Sequence, residues 1–272
     1  MRKDRGLTIA GNWKMNHSSE ETAAFFTEFR ALSASLSPDE LRQIQSGQVK
    51  VCIAPPTLSL QKAQSLISYL GFPVTIAAQN AHWEKKGAFT GEISGPMLQE
   101  IGVQWALVGH SERRQLFGET DKTVRMRAES LLDQGFQIIL CIGETRTERE
   151  KEQTREVLIH QITEAIPNTH SGIAKYLDGR VLIAYEPVWA IGTGLTATPE
   201  QAEEAHAIIR DLLLNRFGVG AASRTPLLYG GSVTPENIGS LLACSNVDGA
   251  LVGGASLKPQ SFLSLLRTAA QT

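Results

Sequence analysis

The chain has 272 residues, of which 42% are hydrophobic and 20% charged, and 24 are glycines, the composition of a globular protein with a sizeable core and many tight turns. Its 26 basic and 28 acidic side chains give a formal net charge of -2, which excludes a broad electrostatic footprint for nucleic acid or an anionic membrane. No stretch approaches the ~18 consecutive apolar residues that a membrane span requires, and no apolar signal core follows the charged start, so the expected location is the cytoplasm.

Taken in chain order, a strand over 7–11 ends in Asn12-Trp13-Lys14 and feeds a helix over 18–34. A strand over 49–54 precedes helical sequence over 57–70. The next, over 74–78, ends in Gln79-Asn80 and leads to a weakly patterned helix near 95–102. The fourth strand, 105–109, ends in His110-Ser111-Glu112 before a helix over 120–134, and the fifth, 137–142, ends in Gly143-Glu144 before one over 148–165. The charged run from Glu144 to Glu156 has mixed signs at helical spacing, which reads as a solvated helix face.

The sixth strand, 181–186, runs through Val181-Leu182-Ile183-Ala184-Tyr185 to Glu186. Its helix opens on Thr198-Pro199-Glu200-Gln201, which supplies an N-cap, an N1 proline and a capping-box Gln, and Gly218 marks its stop. Strands over 226–230 and 248–252 end in Gly230-Gly231-Ser232 and Gly253-Gly254, with helices over 235–243 and 257–269.

The strand runs are continuously apolar rather than alternating, as expected of parallel strands covered on both faces. Eight strand–helix repeats without a dividing linker predict one α/β domain over 1–272, closed as a (β/α)8 barrel, with an open doubly wound sheet as the structural alternative. In either architecture the residues just after the strands converge on one face, and that face carries the chemistry.

Two kinds of group meet there. Glycine pairs after the last two strands let backbone N–H groups approach an anion, which points to a phosphate ligand, although each pair alone also suits a plain tight turn. Lys14, His110 and Glu186 are the titratable candidates. Each has a bland reading: a solvated lysine, a satisfied core histidine, a carboxylate in a structural ion pair. Against these, Lys14 points toward the mouth of the barrel, and Glu186, so close to apolar residues, becomes a good base once water is excluded. His110 at a helix start is disfavoured as a cation and suits a neutral donor, with the Ser111 hydroxyl placed to cap a short helix.

No cofactor is expected. Gly192-Thr193-Gly194 lacks the third glycine and following acid of a dinucleotide fingerprint, and the six histidines share no metal-ligand spacing, so no metal is expected either. Cys52, Cys141 and Cys244 read as reduced thiols, mostly in the core.

Several segments then resemble a known family. Gly11-Asn12-Trp13-Lys14-Met15-Asn16, Gly87 to Glu92, Gly109 to Arg114, Ala184 to Gly194, Tyr229 to Val233 and Leu251 to Ser256 are similar, in order and across nearly the whole chain, to the triosephosphate isomerases. The resemblance implies cofactor-free interconversion of D-glyceraldehyde 3-phosphate and dihydroxyacetone phosphate through an enediol-type intermediate, in glycolysis and gluconeogenesis. It implies Glu186 as base, His110 as neutral electrophile, and Lys14 with Asn12 as electrostatic and substrate-binding groups. Gly192, Ser232, Gly253 and Gly254 would hold the phosphate, with Ser111 near His110, Glu112 near Lys14, and Cys141 as a packing residue.

It further implies a lid over Pro187 to Gly194, and a homodimer in which the 81–92 segment, with Thr90, reaches the neighbouring subunit. The 33–48 and 168–178 stretches are longer than the resemblance requires. Two other readings stay open on the residues alone: a different phosphate-binding barrel enzyme, and a barrel kept only as a binding protein. The set Asn12, Lys14, His110 and Glu186 disfavours both.

Overall fold

The alternation of strand and helix closes on itself. A computed structural model of the chain describes residues 5–166, 173–177, 179–191 and 197–272. Its strands are β1 (Leu7–Asn12), β2 (Val49–Ala54), β3 (Thr75–Ala78), β4 (Trp105–Val108), β5 (Gln137–Ile142), β6 (Val181–Tyr185), β7 (Leu227–Tyr229) and β8 (Gly249–Val252). They form a closed barrel in sequence order, each parallel to its neighbours, and β8 returns to β1 with Thr8 opposite Gly249. The closed (β/α)8 barrel is therefore the fold, and the open sheet is not.

Around it run α1 (Ser19–Ser33), α2 (Pro38–Gln45), α3 (Leu60–Leu66), α4 (Gly95–Glu100), α5 (Ser111–Leu116) and α6 (Asp121–Asp133). They are followed by α7 (Arg146–Glu150), α8 (Thr154–Ala165), α9 (Pro199–Arg224), α10 (Ile238–Ala243) and α11 (Pro259–Ala270).

Successive strand residues face opposite sides, which splits the apolar runs between two cores. Ala10, Cys52, Leu107, Ile139, Cys141, Leu182, Ala184 and Leu251 fill the barrel interior. Ile9, Val51, Ile53, Ile138, Leu140, Val181, Ile183 and Tyr185 pack under the helices. This double burial is why the runs read as continuous. It also fixes direction: Asn12 continues the inward series through Ala10, and Glu186 continues Leu182 and Ala184, so both lie in register with the barrel axis at its C-terminal mouth.

Three helical expectations change. The helix predicted over 148–165 is two helices, because Thr145 and Glu148 form a reciprocal cap at the start of α7 and Glu152 turns left-handed at φ 57° before α8. The stop at Gly218 is real, with φ 84° and ψ 176°, but helical turns resume to Arg224 and bury Ala221 and Ala222. The long 33–48 stretch folds as α2, started by Ser37, Pro38 and Glu40 in a capping box and anchored by buried Ile44. Of the 168–178 stretch, a single turn at Ile173–Tyr176 is described; residues 167–172 and 178 lie outside the described residues.

Candidate active site

At the end of β1 the Asn12 side chain accepts a hydrogen bond from the Lys14 N–H at 3.0 Å, turning the chain back on itself. Lys14 is one of the few non-glycine residues in the left-handed region, at φ 52°, a conformation that costs ~1–2 kcal/mol. Gln79 secures it by donating to the Lys14 carbonyl at 2.8 Å and to the Ala54 carbonyl at 2.9 Å. The ammonium then reaches Glu112 Oε1 at 2.6 Å, on the wall of the central cavity.

After β4, Gly109 takes φ 75° and His110 begins α5. The cap is His110 itself and not the Ser111 hydroxyl: Nδ1 accepts from the Glu112 N–H at 3.2 Å. An accepting Nδ1 carries no hydrogen, so the neutral imidazole bears its proton on Nε2. That nitrogen lies 3.0 Å from Glu186 Oε1. Ser111 contributes through its main chain, donating N–H to Glu186 Oε2 at 2.8 Å.

Glu186 is 2% exposed and extends from the end of β6 into space that only a glycine leaves open. A Cβ at Gly230 would stand 2.8 Å from Glu186 Cγ. The carboxylate is thus held at its two oxygens by His110 and Ser111 while its front faces the cavity.

That cavity encloses about 290 Å³ and is lined by Asn12, Lys14, His110 and Glu186 together with Ile191 and the glycine-rich loops of Gly230, Gly231, Ser232, Gly253 and Gly254. It brings titratable side chains and glycine-rich backbone into one space. At Gly253 a Cβ would meet the Lys14 Cε at 3.7 Å, so the lysine stem runs directly beside the glycine loop. No long helix begins directly behind these loops. Only the three-residue turn Gly254–Ser256 follows Gly253 directly, and α10 and α11 begin later, at Ile238 and Pro259. What this cavity offers an anion is backbone N–H groups and the Lys14 charge. Gly192, the remaining phosphate-loop candidate, lies outside the described residues.

A larger cavity of about 480 Å³ opens at the other end of the barrel, beside Leu7 and Val49. Its lining holds no ionisable side chain, whereas the smaller one gathers Lys14, His110 and Glu186. Among the described residues, no group of three His, Cys, Asp or Glu side chains is arranged to hold a metal ion.

The role of Glu144 escaped sequence reading. Glu144, after β5, is fully buried, and its Oε1 accepts from Tyr185 Oη at 3.0 Å and Trp189 Nε1 at 2.8 Å. Burial pushes its carboxyl above the usual range, with the two donors opposing that shift. It thereby ties the first turn of the 187–191 segment to the barrel. Cys141, in the interior core below Glu186, has its thiol pushed well up, first by burial and then by the nearby carboxylate, which suits packing and not nucleophilic attack.

The sequence as a whole has clear relatives. The family model for triosephosphate isomerase matches residues 7–269. A protein of Solibacter usitatus named triosephosphate isomerase is 44% identical over 96% of this chain and 99% of its own. Proteins of the same name from Carboxydothermus hydrogenoformans and Geotalea uraniireducens are 43% and 44% identical, over 95% and 97% of this chain and 97% and 98% of their own. A match that runs through every strand end and every residue lining the cavity leaves one assignment: the chain belongs to the triosephosphate isomerase family.

Proposed function

We propose that Glu186, His110, Lys14 and Asn12 carry the reaction, on a substrate whose phosphate is held by Gly192, Ser232, Gly253 and Gly254. As a member of this family the chain is an isomerase that interconverts D-glyceraldehyde 3-phosphate and dihydroxyacetone phosphate, a step of glycolysis and gluconeogenesis. The observation that carries the residue assignment is the shared cavity in which a buried carboxylate and a neutral imidazole donor stand 3.0 Å apart beside glycine-rich loops.

With the phosphate on the loops of Ser232, Gly253 and Gly254, the three-carbon skeleton reaches toward Glu186. The carboxylate leaves the Ser111 N–H and takes the proton from the carbon beside the carbonyl; the C–H electron pair becomes a C=C bond and the carbonyl π pair moves to the oxygen. His110 Nε2–H hydrogen-bonds that oxygen and moves protons between the two oxygens, and Lys14 offsets the developing negative charge. Glu186 returns its proton to the neighbouring carbon, so no atom is gained or lost. The family is the reference case for a glutamate base paired with a neutral histidine.

Coupling dihydroxyacetone phosphate formation to NADH oxidation by glycerol-phosphate dehydrogenase tests this. Glu186→Gln, folded, loses activity by about three orders of magnitude; full activity in that variant would refute the assignment of the base.

The active form is a homodimer in the cytoplasm, with residues 1–272 as one domain. Supporting the dimer, the segments after β1, β3 and β4 expose Met15, Phe89, Met97, Leu116 and Phe117, Met15 at 94%. Thr90 stands exposed on the 81–92 segment, which His82, Trp83 and Phe89 stiffen by ring contacts at 4.0 and 4.4 Å and Arg127 ties down at the Ala81 carbonyl. Light scattering after size exclusion is expected to give twice the chain mass, and Met15→Asp to shift it toward the single chain.

A further inference from the structure

Glu186 stands between two cavities, and the second has no part in the scheme above. About 260 Å³ of space lies behind the carboxylate, lined by Gly143, Gln161, Val188, Ser111 and Arg114 among others. A base backed by open space can recoil, so something must fix the main chain that carries it.

The fixed point is Gly143, at the end of β5. Its neighbour Ile142 accepts the Glu186 N–H at 2.7 Å, and its other neighbour, Glu144, accepts the Val188 N–H at 3.1 Å. Gly143 itself presses so closely on Glu186 that a Cβ there would overlap the Glu186 carbonyl. Three consecutive residues thus support the base and the start of the lid. Gln161, reaching from α8, clamps the middle one from both sides: its Oε1 accepts the Gly143 N–H at 2.8 Å and its Nε2 donates to the Gly143 carbonyl at 3.2 Å. Gly143 is buried, so without that amide its N–H and carbonyl would lose partners away from bulk water.

We infer that Gln161 is a positioning residue, whose side-chain amide holds the Gly143 main chain against Glu186 and so sets where the base sits relative to the substrate. The inference rests on Glu186 being the base. It acts on the geometry of proton transfer and not on phosphate binding, because Ser232, Gly253 and Gly254 line the substrate cavity and take no part in the one that holds Gly143 and Gln161. A misplacement of ~1 Å in such a step can cost about a hundredfold in rate.

The test compares Gln161→Met, which keeps the volume and removes both hydrogen bonds, with Leu158→Val, which thins the buried face of the same helix without touching Gly143. Gln161→Met is expected to lower kcat about tenfold or more with KM within about twofold, and to release more inorganic phosphate per turnover through elimination from a looser site. Leu158→Val is expected to lower Tm and leave kcat unchanged. A Gln161→Met kcat within about twofold of the natural protein, or an equal fall in Leu158→Val, overturns the inference. Should Gln161→Met fail to fold, Gln161→Glu, which keeps the acceptor and loses the donor, is judged by the same two criteria. Glu186→Gln measured alongside separates the two ideas: if it remains active, the base assignment fails and the inference with it, whereas its collapse beside an unimpaired Gln161→Met overturns the clamp alone.

Discussion

The barrel buries carboxylates at both ends, and Asp248 and Glu186 are treated in opposite ways. At the N-terminal end Asp248, fully buried, meets Arg5 Nε at 2.8 Å, Arg210 Nη2 at 2.6 Å and the Leu227 N–H at 3.0 Å. At the C-terminal end Glu186 has one imidazole and one backbone N–H, and a cavity in front of it. A carboxylate surrounded by two guanidinium groups is neutralised and immobile, which makes it a structural tie between the chain start, α9 and β7. A carboxylate held by weaker, replaceable donors can leave them and take up a proton. Burial is common to both, and the difference in partners separates scaffold from chemistry.

The largest expected effect that sharpens this contrast is on rate: Glu186→Gln loses about three orders of magnitude of activity and keeps its Tm within a few degrees. Asp248→Asn should do the reverse. It leaves two buried guanidinium groups short of a counter-charge and is expected to cost about 3–5 kcal/mol in denaturant unfolding, while the folded fraction retains its kcat. A loss of activity in Asp248→Asn without loss of stability would break the comparison.

A smaller effect concerns pH. His206, fully buried in α9, has its Nδ1 2.7 Å from the Ala202 carbonyl, and its ring packs against Tyr185 and Tyr229 at 5.7 and 6.4 Å. Burial holds its pKa below the usual 6.5, hydrogen bonds and nearby acids notwithstanding. As pH falls below about 6.5 the unfolded chain takes up a proton that the folded chain refuses, so stability declines with acidification until the folded pKa is reached, by at most ~1.4 kcal/mol per pH unit. His206→Gln removes that contribution, and its Tm is expected to drop a few degrees less than the natural protein's between pH 7 and pH 5. An unchanged acid slope would show that His206 is not its source.

How much of the site was legible beforehand depended on the distance between partners in sequence. Asn12, Lys14, His110 and Glu186 follow strands, and strand ends can be read from apolar runs, so their convergence was visible. Gln79 under Lys14, Glu144 under Trp189 and Gln161 across Gly143 were not assigned those partners. Each is a polar side chain whose meaning lies in a hydrogen bond made to a residue 65, 45 or 18 positions away. Helix ends divided in the same way. The Thr198 cap was plain, while the break at Glu152 depends on a backbone torsion that its charged neighbours conceal.

The amino-acid sequence by itself determined the order of the elements, the two-sided burial of the strands and the residues at their ends. Those follow from local periodicity and capping, which act over a few residues. Only the tertiary structure decided that the sheet closes and which imidazole nitrogen of His110 is the acceptor. It also decided that the Glu186 oxygens rest on His110 and Ser111, and that the main chain behind them is held by Gln161. These depend on which distant backbone and side-chain groups are brought within hydrogen-bonding reach, and that is a property of the packed barrel as a whole.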